Sequence, residues 1–205
     1  LKAYLAQSKN AKPKCVIVDV DETVLDNSPF QAYELQQGKD FDLKDWQEWT
    51  AKAAADTVPG APSFLKFAAQ NKVETFYVTN RGESEREATL KNLKKWNFPY
   101  ADNAHLLLKS NASSDKEPRR VFIGQKYDIV LLCGDNLNDF SSMFFTKDET
   151  ARNSKTESAK AQFGRRFIVL PNPMYGDWMD ALYDGKKGLT EQEKADVRMK
   201  KLKGY

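Results

Sequence analysis

The chain has 205 residues, with 32 Lys+Arg against 29 Asp+Glu, a single His and two Cys. At 40% hydrophobic and 12% aromatic residues, with a mean hydropathy of −0.68, the composition is that of a globular chain, and no apolar run approaches the roughly 20 residues a membrane helix needs. A net charge of +3, with the basic residues dispersed among acids except near the C-terminus, gives no electrostatic footprint for a nucleic acid polymer, and the single His105 excludes a histidine-rich zinc site.

Along the chain, apolar segments alternate with amphipathic ones. Segments 15–20 (CVIVDV), 73–79 (VETFYVT), 105–108 (HLLL), 129–133 (IVLLC) and 167–170 (FIVL) are short and apolar almost throughout, as strands buried on both faces must be. Helical patterns occupy 61–70, where Pro62 suits a first turn, then 84–96 and 138–145. The predicted fold class is therefore α/β, a doubly wound and mainly parallel sheet. The connection 26–60 is too long for a simple crossover, and its segments SPFQAYELQQ and LKDWQEWTAKAA both read as helices. It is predicted to be a small helical cap inserted into a core made of residues 1–25 and 61–205. Segment 109–125 reads as a polar, basic connection, and 189–203 as a Lys-rich helix with a solvated face. Cys15 and Cys133 fall inside apolar strands and read as buried thiols, with His105 at the start of its strand.

The chemistry collects at the carboxyl ends of these strands, where ligands bind in open α/β sheets. The first strand runs into Asp19-Val20-Asp21-Glu22-Thr23, and the fourth into Gly134-Asp135-Asn136-Leu137-Asn138-Asp139. On a helix, Asp139 would stand one turn beyond Asp135 and face the same crevice. Four carboxylates so placed repel one another unless a cation joins them. An all-oxygen ligand set without His or Cys favours Mg²⁺, with Asp19, Asp21, Asp135 and Asp139 as its acids. Two more strand ends offer what a phosphoryl group needs: Thr79 and Asn80 after the second strand, and Lys109 after the third.

DVDET, VTN, Lys109 and GDNLND resemble, in order and spacing, the four motifs of the haloacid dehalogenase-like phosphotransferases. VIVDVDETVLDN and VLLCGDNLNDF are similar to the two signatures of the bacterial class C acid phosphatases, with Val20 where that family usually has Ile or Leu and Phe30 where it usually has Tyr. The resemblance implies a Mg²⁺-dependent acid phosphatase that hydrolyses phosphomonoesters, nucleoside 5′-monophosphates among them, through an aspartyl-phosphate. It implies that Asp19 is the nucleophile and that Asp21 protonates the leaving oxygen, then activates water, and binds metal by its backbone carbonyl. It further implies Asp135 as the second side-chain metal ligand, Asp139 in the outer shell, and Thr79, Asn80 and Lys109 around the phosphoryl group. By position, Trp46 and Tyr175 resemble the family's pair that clasps a base, while Trp49, three residues on from Trp46, reads as core. The resemblance also carries expectations of a homodimer and of a bacterial periplasmic or outer-membrane address, reached through a lipid anchor upstream of this chain. A phospho-accepting receiver domain and a non-catalytic phosphate-binding protein on the same scaffold are the alternative readings. The cap and the DxD at the first strand count against the receiver, and the presence of Asp19 against the binding protein.

Overall fold

The structure is a computed structural model describing residues 1–7, 11–109 and 113–204. Helix α1 (Lys2–Gln7) leads into strand β1 (Lys14–Val18), which is followed by the short β2 (Leu25–Asp26). Helices α2 (Ser28–Gln37) and α3 (Leu43–Ala51) come next, and then β3 (Asp56–Thr57) pairs antiparallel with β2 and closes the base of this excursion. The chain continues through α4 (Ala61–Gln70), β4 (Val73–Val78), α5 (Arg86–Lys95), β5 (Leu106–Leu107), α6 (Glu117–Lys126) and β6 (Asp128–Gly134). It ends with α7 (Glu149–Ser158), β7 (Phe167–Val169), α8 (Asp177–Leu182) and α9 (Glu191–Lys201). Among the described residues no helix is long and apolar enough to cross a membrane.

The main sheet has five strands in the order β5-β4-β1-β6-β7, every pair parallel. From the central β1 the chain winds outward through β4 and β5, then crosses to the other side of β1 for β6 and β7. That reversal opens a crevice at the carboxyl end of β1, the usual ligand position in such sheets.

Alternation along the strands explains their continuous apolar character. Val16 and Val18 of β1, with Tyr77 of β4, enter one core together with Leu65 and Ala68 of α4 and Leu90 and Leu93 of α5. Cys15 and Ile17, with Phe76 and Val78, enter the other, against Ile123 of α6, Phe140 and Phe144. Because successive side chains point to opposite faces and both faces are covered, the strands are apolar almost throughout, with Glu74 near the amino end of β4 and the small, buried Thr75 as exceptions. Cys15 and Cys133 are buried free thiols, and burial pushes each up to about 12.

Two local expectations fail. Residues 138–145 do not form a helix: a 3₁₀ turn at Leu137–Asp139 is followed by a second at Ser142–Phe144. The Asp139 carboxylate accepts the Asn136 N–H at 2.9 Å, and the Ser141 hydroxyl accepts that of Met143 at 3.3 Å. Each side chain satisfies an early N–H of its own short turn, so the chain restarts instead of propagating. Segment 109–125 is not merely a connection either, since α6 begins at Glu117 with Pro118 in its first turn and buries Arg120 and Ile123.

Candidate active site

Asp19 directly follows β1, and its N–H donates to the Cys133 carbonyl of β6 at 2.9 Å, so the sheet's own ladder sets its position. The chain then reverses tightly: the N–H groups of Val24 and Leu25 both donate to the Val20 carbonyl, and Glu22 takes a left-handed φ of 55°. On the neighbouring strand, Asp135 follows Gly134. A Cβ at Gly134 would lie 2.2 Å from Asp139 Oδ2, so only glycine lets the Asp139 turn fold back against the strand end.

These constraints bring Asp19, Asp135 and Asp139 together, each offering a carboxylate oxygen within 4.8 Å of the others. Between them sits the ammonium of Lys116, 2.5 Å from Asp19 Oδ1 and 2.6 Å from Asp139 Oδ1, with all three side chains buried. Burial, then repulsion from Asp139 and Asp21, holds Asp19 above the ordinary carboxylate range in spite of Lys116. Asp135 is raised by burial and by the charges of Asp19 and Asp139. Lys116 is raised too: burial pulls it down, but Asp139 and Asp19 more than offset this. One ammonium among three carboxylates leaves negative charge in excess.

That excess fits a divalent cation. The donors are hard oxygens, which suit such an ion. Asp139 already spends Oδ1 on Lys116 and Oδ2 on the Asn136 N–H, while Asp135 accepts from Asn172 Nδ2 at Oδ2, 2.8 Å away. Asp19 and Asp135 thus retain oxygens that could ligate such an ion directly, whereas both oxygens of Asp139 are already engaged.

Asp21 stands apart from this trio. Its Oδ1 accepts from Arg81 Nη2 at 2.7 Å and from Asn27 Nδ2 at 2.9 Å. Asn80 reaches the same cavity, held by Arg119, whose Nη2 donates to Asn80 Oδ1 at 2.7 Å. Thr79 does not line it: the residue is fully buried, and its hydroxyl accepts the Arg81 N–H at 3.1 Å. Lys109 needs correction. It lies beyond β5, its backbone N–H bound to the Arg81 carbonyl, and it does not line the cavity. The cation at Asp19 is Lys116, the residue preceding α6. The start of α6 decides this, and Pro118, two residues after Lys116, was the available signal.

Above the acids opens a cavity of about 720 Å³. Phe30, Phe41 and Trp46 form one wall, with Trp46 edge-on to Phe30 at 5.1 Å and its indole N–H bonded to Glu85 Oε1 at 2.9 Å. Met174 and Tyr175 come from the segment before α8, and the Tyr175 hydroxyl donates to Glu22. Glu22 is pushed up to about 8 by burial and by Asp21. A Cβ at Gly176, whose φ is 147°, would meet Asn136 Nδ2 at 2.8 Å, so this loop docks closely on the acidic turn. Asp177, which the sequence reading passed over, also lines the cavity and accepts from Asn138 Nδ2. Trp49 turns away from the cavity: it packs on the core and donates to Asn27 Oδ1 at 2.8 Å.

Comparison with known proteins places this arrangement. The class C acid phosphatase from Bacillus anthracis is 41% identical, superposes with a TM-score of 0.92, and is covered over 85% of its length by the whole of this chain. The same protein with tungstate bound superposes at 0.93 with the same identity and coverage. Acid phosphatase 1 of Solanum lycopersicum is 26% identical over 168 residues, which are 78% of this chain but only 57% of the tomato protein. The profile of HAD superfamily subfamily IIIB (acid phosphatase) matches residues 1–178. The chain therefore belongs to subfamily IIIB of the HAD superfamily, the acid phosphatases, a family of phosphoric monoester hydrolases.

Proposed function

We propose that this chain is a Mg²⁺-dependent acid phosphatase that hydrolyses phosphomonoesters, nucleoside 5′-monophosphates among them, through an aspartyl-phosphate. The observation that carries the reading is Asp19, fixed by the sheet at the floor of an open cavity and held at 2.5 Å by the buried Lys116. Lys116 takes one lone pair of Oδ1, so Oδ2 attacks phosphorus while Oδ1 keeps a lone pair for the metal. As that P–O bond forms and the ester P–O bond breaks, Asp21 delivers a proton to the departing oxygen. In the second half Asp21 takes a proton from water, whose oxygen attacks phosphorus and releases Asp19 and inorganic phosphate. Lys116 and the Asn80 amide face the charge that develops on the transferring group. A Mg²⁺ held by Asp19 and Asp135, with the Asp21 backbone carbonyl and Asp139 in support, would neutralise phosphoryl oxygens. Tungstate, found on the Bacillus relative, is a tetrahedral oxyanion like phosphate and suits the same floor. The aromatic wall and Tyr175 support a planar base as the group carried by the ester. A secreted or periplasmic address belongs to the same proposal and rests on the sequence resemblance.

The test is phosphate release from nucleoside monophosphates, sugar phosphates and an aryl phosphate, with EDTA and with Mg²⁺ restored. Asp19→Asn, nearly isosteric, should lose about a thousandfold or more in turnover while keeping the fold. Full turnover in chelator, or near wild-type rates in Asp19→Asn, would overturn the reading.

A further inference from the structure

Asp21 is clamped on one side. Its Oδ1 accepts three hydrogen bonds, from Arg81 Nη2 at 2.7 Å, Arg81 Nε at 3.1 Å and Asn27 Nδ2 at 2.9 Å, whereas Oδ2 accepts one long bond from Arg81 Nε at 3.2 Å. Arg81 is 3% exposed, although it lies at the edge of a cavity open to solvent. Its remaining Nη1 donates to the buried Thr89 hydroxyl at 3.1 Å, and that hydroxyl is itself bound to the Glu85 carbonyl at 2.8 Å. The Trp46 ring covers the guanidinium at 5.5 Å, and Glu85, which takes the Trp46 indole N–H, also accepts the Gly82 N–H at 2.7 Å. The guanidinium is thus fixed by α5 below and by the cap tryptophan above.

We propose that Arg81 is the positioning residue of the proton-transferring step. It saturates Oδ1 of Asp21 and so leaves Oδ2 as the atom that gives a proton to the leaving oxygen and later takes one from water. The inference rests on the reading of Asp21 as proton donor given above. A planar fork bound at two nitrogens and anchored at the third fixes both the distance and the rotation of the carboxyl, which a lysine ammonium cannot do. The residue lies in VTNR, where sequence inspection stops at Thr79 and Asn80, because nothing in the sequence reveals that this arginine turns inward toward Asp21.

The consequence is dependence on the leaving group. A basic alkoxide needs the proton as it departs, while a nitrophenolate does not. Arg81→Lys should therefore lower kcat/KM for an alkyl phosphate at least about tenfold more than for 4-nitrophenyl phosphate, with inhibition by inorganic phosphate little altered. Thr89→Val, which keeps the volume but removes the anchor of Nη1, should move the same ratio in the same direction by a smaller factor, and Thr89→Ser should restore it. This second pair keeps the test open if Arg81→Lys fails to fold. Equal losses on both esters would overturn the assignment, as would a weakened inhibition by phosphate matching the loss in kcat/KM, which would make Arg81 a phosphate ligand. Asp21→Asn, run on the same two esters, separates the two levels of inference. If it discriminates between them and the Arg81 and Thr89 variants do not, only the positioning role falls. If Asp21→Asn does not discriminate either, the proton-donor reading falls with it.

Discussion

The main sheet carries a polar cluster at each end, and the two are built on opposite principles. At the amino end, Glu74 accepts from the Tyr127 hydroxyl at 2.7 Å and lies 3.1 Å from His105 Nε2, while His105 Nδ1 lies 2.8 Å from Asp102. Asp128 nearby accepts from the Tyr4 hydroxyl at 2.8 Å. Burial alone would raise Asp102, yet the bonds from His105 hold it below the ordinary range. Every acid there has found a donor. At the carboxyl end, Asp19 and Asp139 share Lys116 with Asp135 beside them, and Asp19 is driven up by burial, Asp139 and Asp21, Asp135 by burial, Asp19 and Asp139. A self-satisfied cluster holds loops in place, whereas one with surplus charge has capacity for a cation or phosphoryl group, as the proposed catalytic floor would require.

The sharpest way to break this contrast is to remove the shared cation. Lys116→Met should lower turnover by about 10²- to 10³-fold. It should also cost roughly 3–5 kcal/mol of stability in chelator, since buried carboxylates are left uncompensated. Lys109→Met should do neither, so parallel kinetics and urea melts of the two variants settle which lysine serves the site.

The cavity wall should respond differently from its floor. Stacking of a base on an aromatic ring is worth roughly 1–3 kcal/mol. Trp46→Ala should accordingly cut kcat/KM for a nucleoside monophosphate by about 5- to 150-fold more than for a ringless alkyl phosphate, which loses only the cover over Arg81. An equal loss on both substrates, or a lowered Tm with selectivity intact, would make Trp46 a packing residue of the cap.

The surplus charge also has a signature in pH. Asp19 and Asp135 have folded-state pKa values above those of the unfolded chain, so the folded protein holds protons that the unfolded chain has released. The stability this provides is complete below the unfolded carboxylate range near pH 4 and is lost as pH rises through the raised values. A divalent cation competes with those protons. In calorimetry, the rise in Tm on adding Mg²⁺ should therefore be small at pH 5 and larger at pH 8. An increment independent of pH would place the ion elsewhere.

The smallest effect belongs to the other end of the sheet. His105→Ala removes two hydrogen-bonded contacts, to Glu74 and Asp102, from a partly exposed group and should cost about 1–2 kcal/mol while leaving kcat where it was. A loss of turnover there would show that the two clusters are coupled through the strands.

Strand positions, the parallel sheet and the acids at its edge were legible in the sequence, because strands covered on both faces are apolar almost throughout and the residues just beyond their carboxyl ends face the crevice. Asp19 and Asp135 follow from that rule alone. The helices α6 and α7 were missed because their buried faces are narrow: Arg120 and Ile123 in one, Arg152 in the other. One or two such residues make too weak a periodic signal to read. Lys116 in place of Lys109, the inward turn of Arg81 toward Asp21, and the 3₁₀ turn that brings Asp139 back over Gly134 were decided only by tertiary packing. Long cationic side chains can reach several places from one backbone position. Which place they take depends on which carboxylates the fold has left buried without a partner, and one-dimensional spacing does not encode that choice.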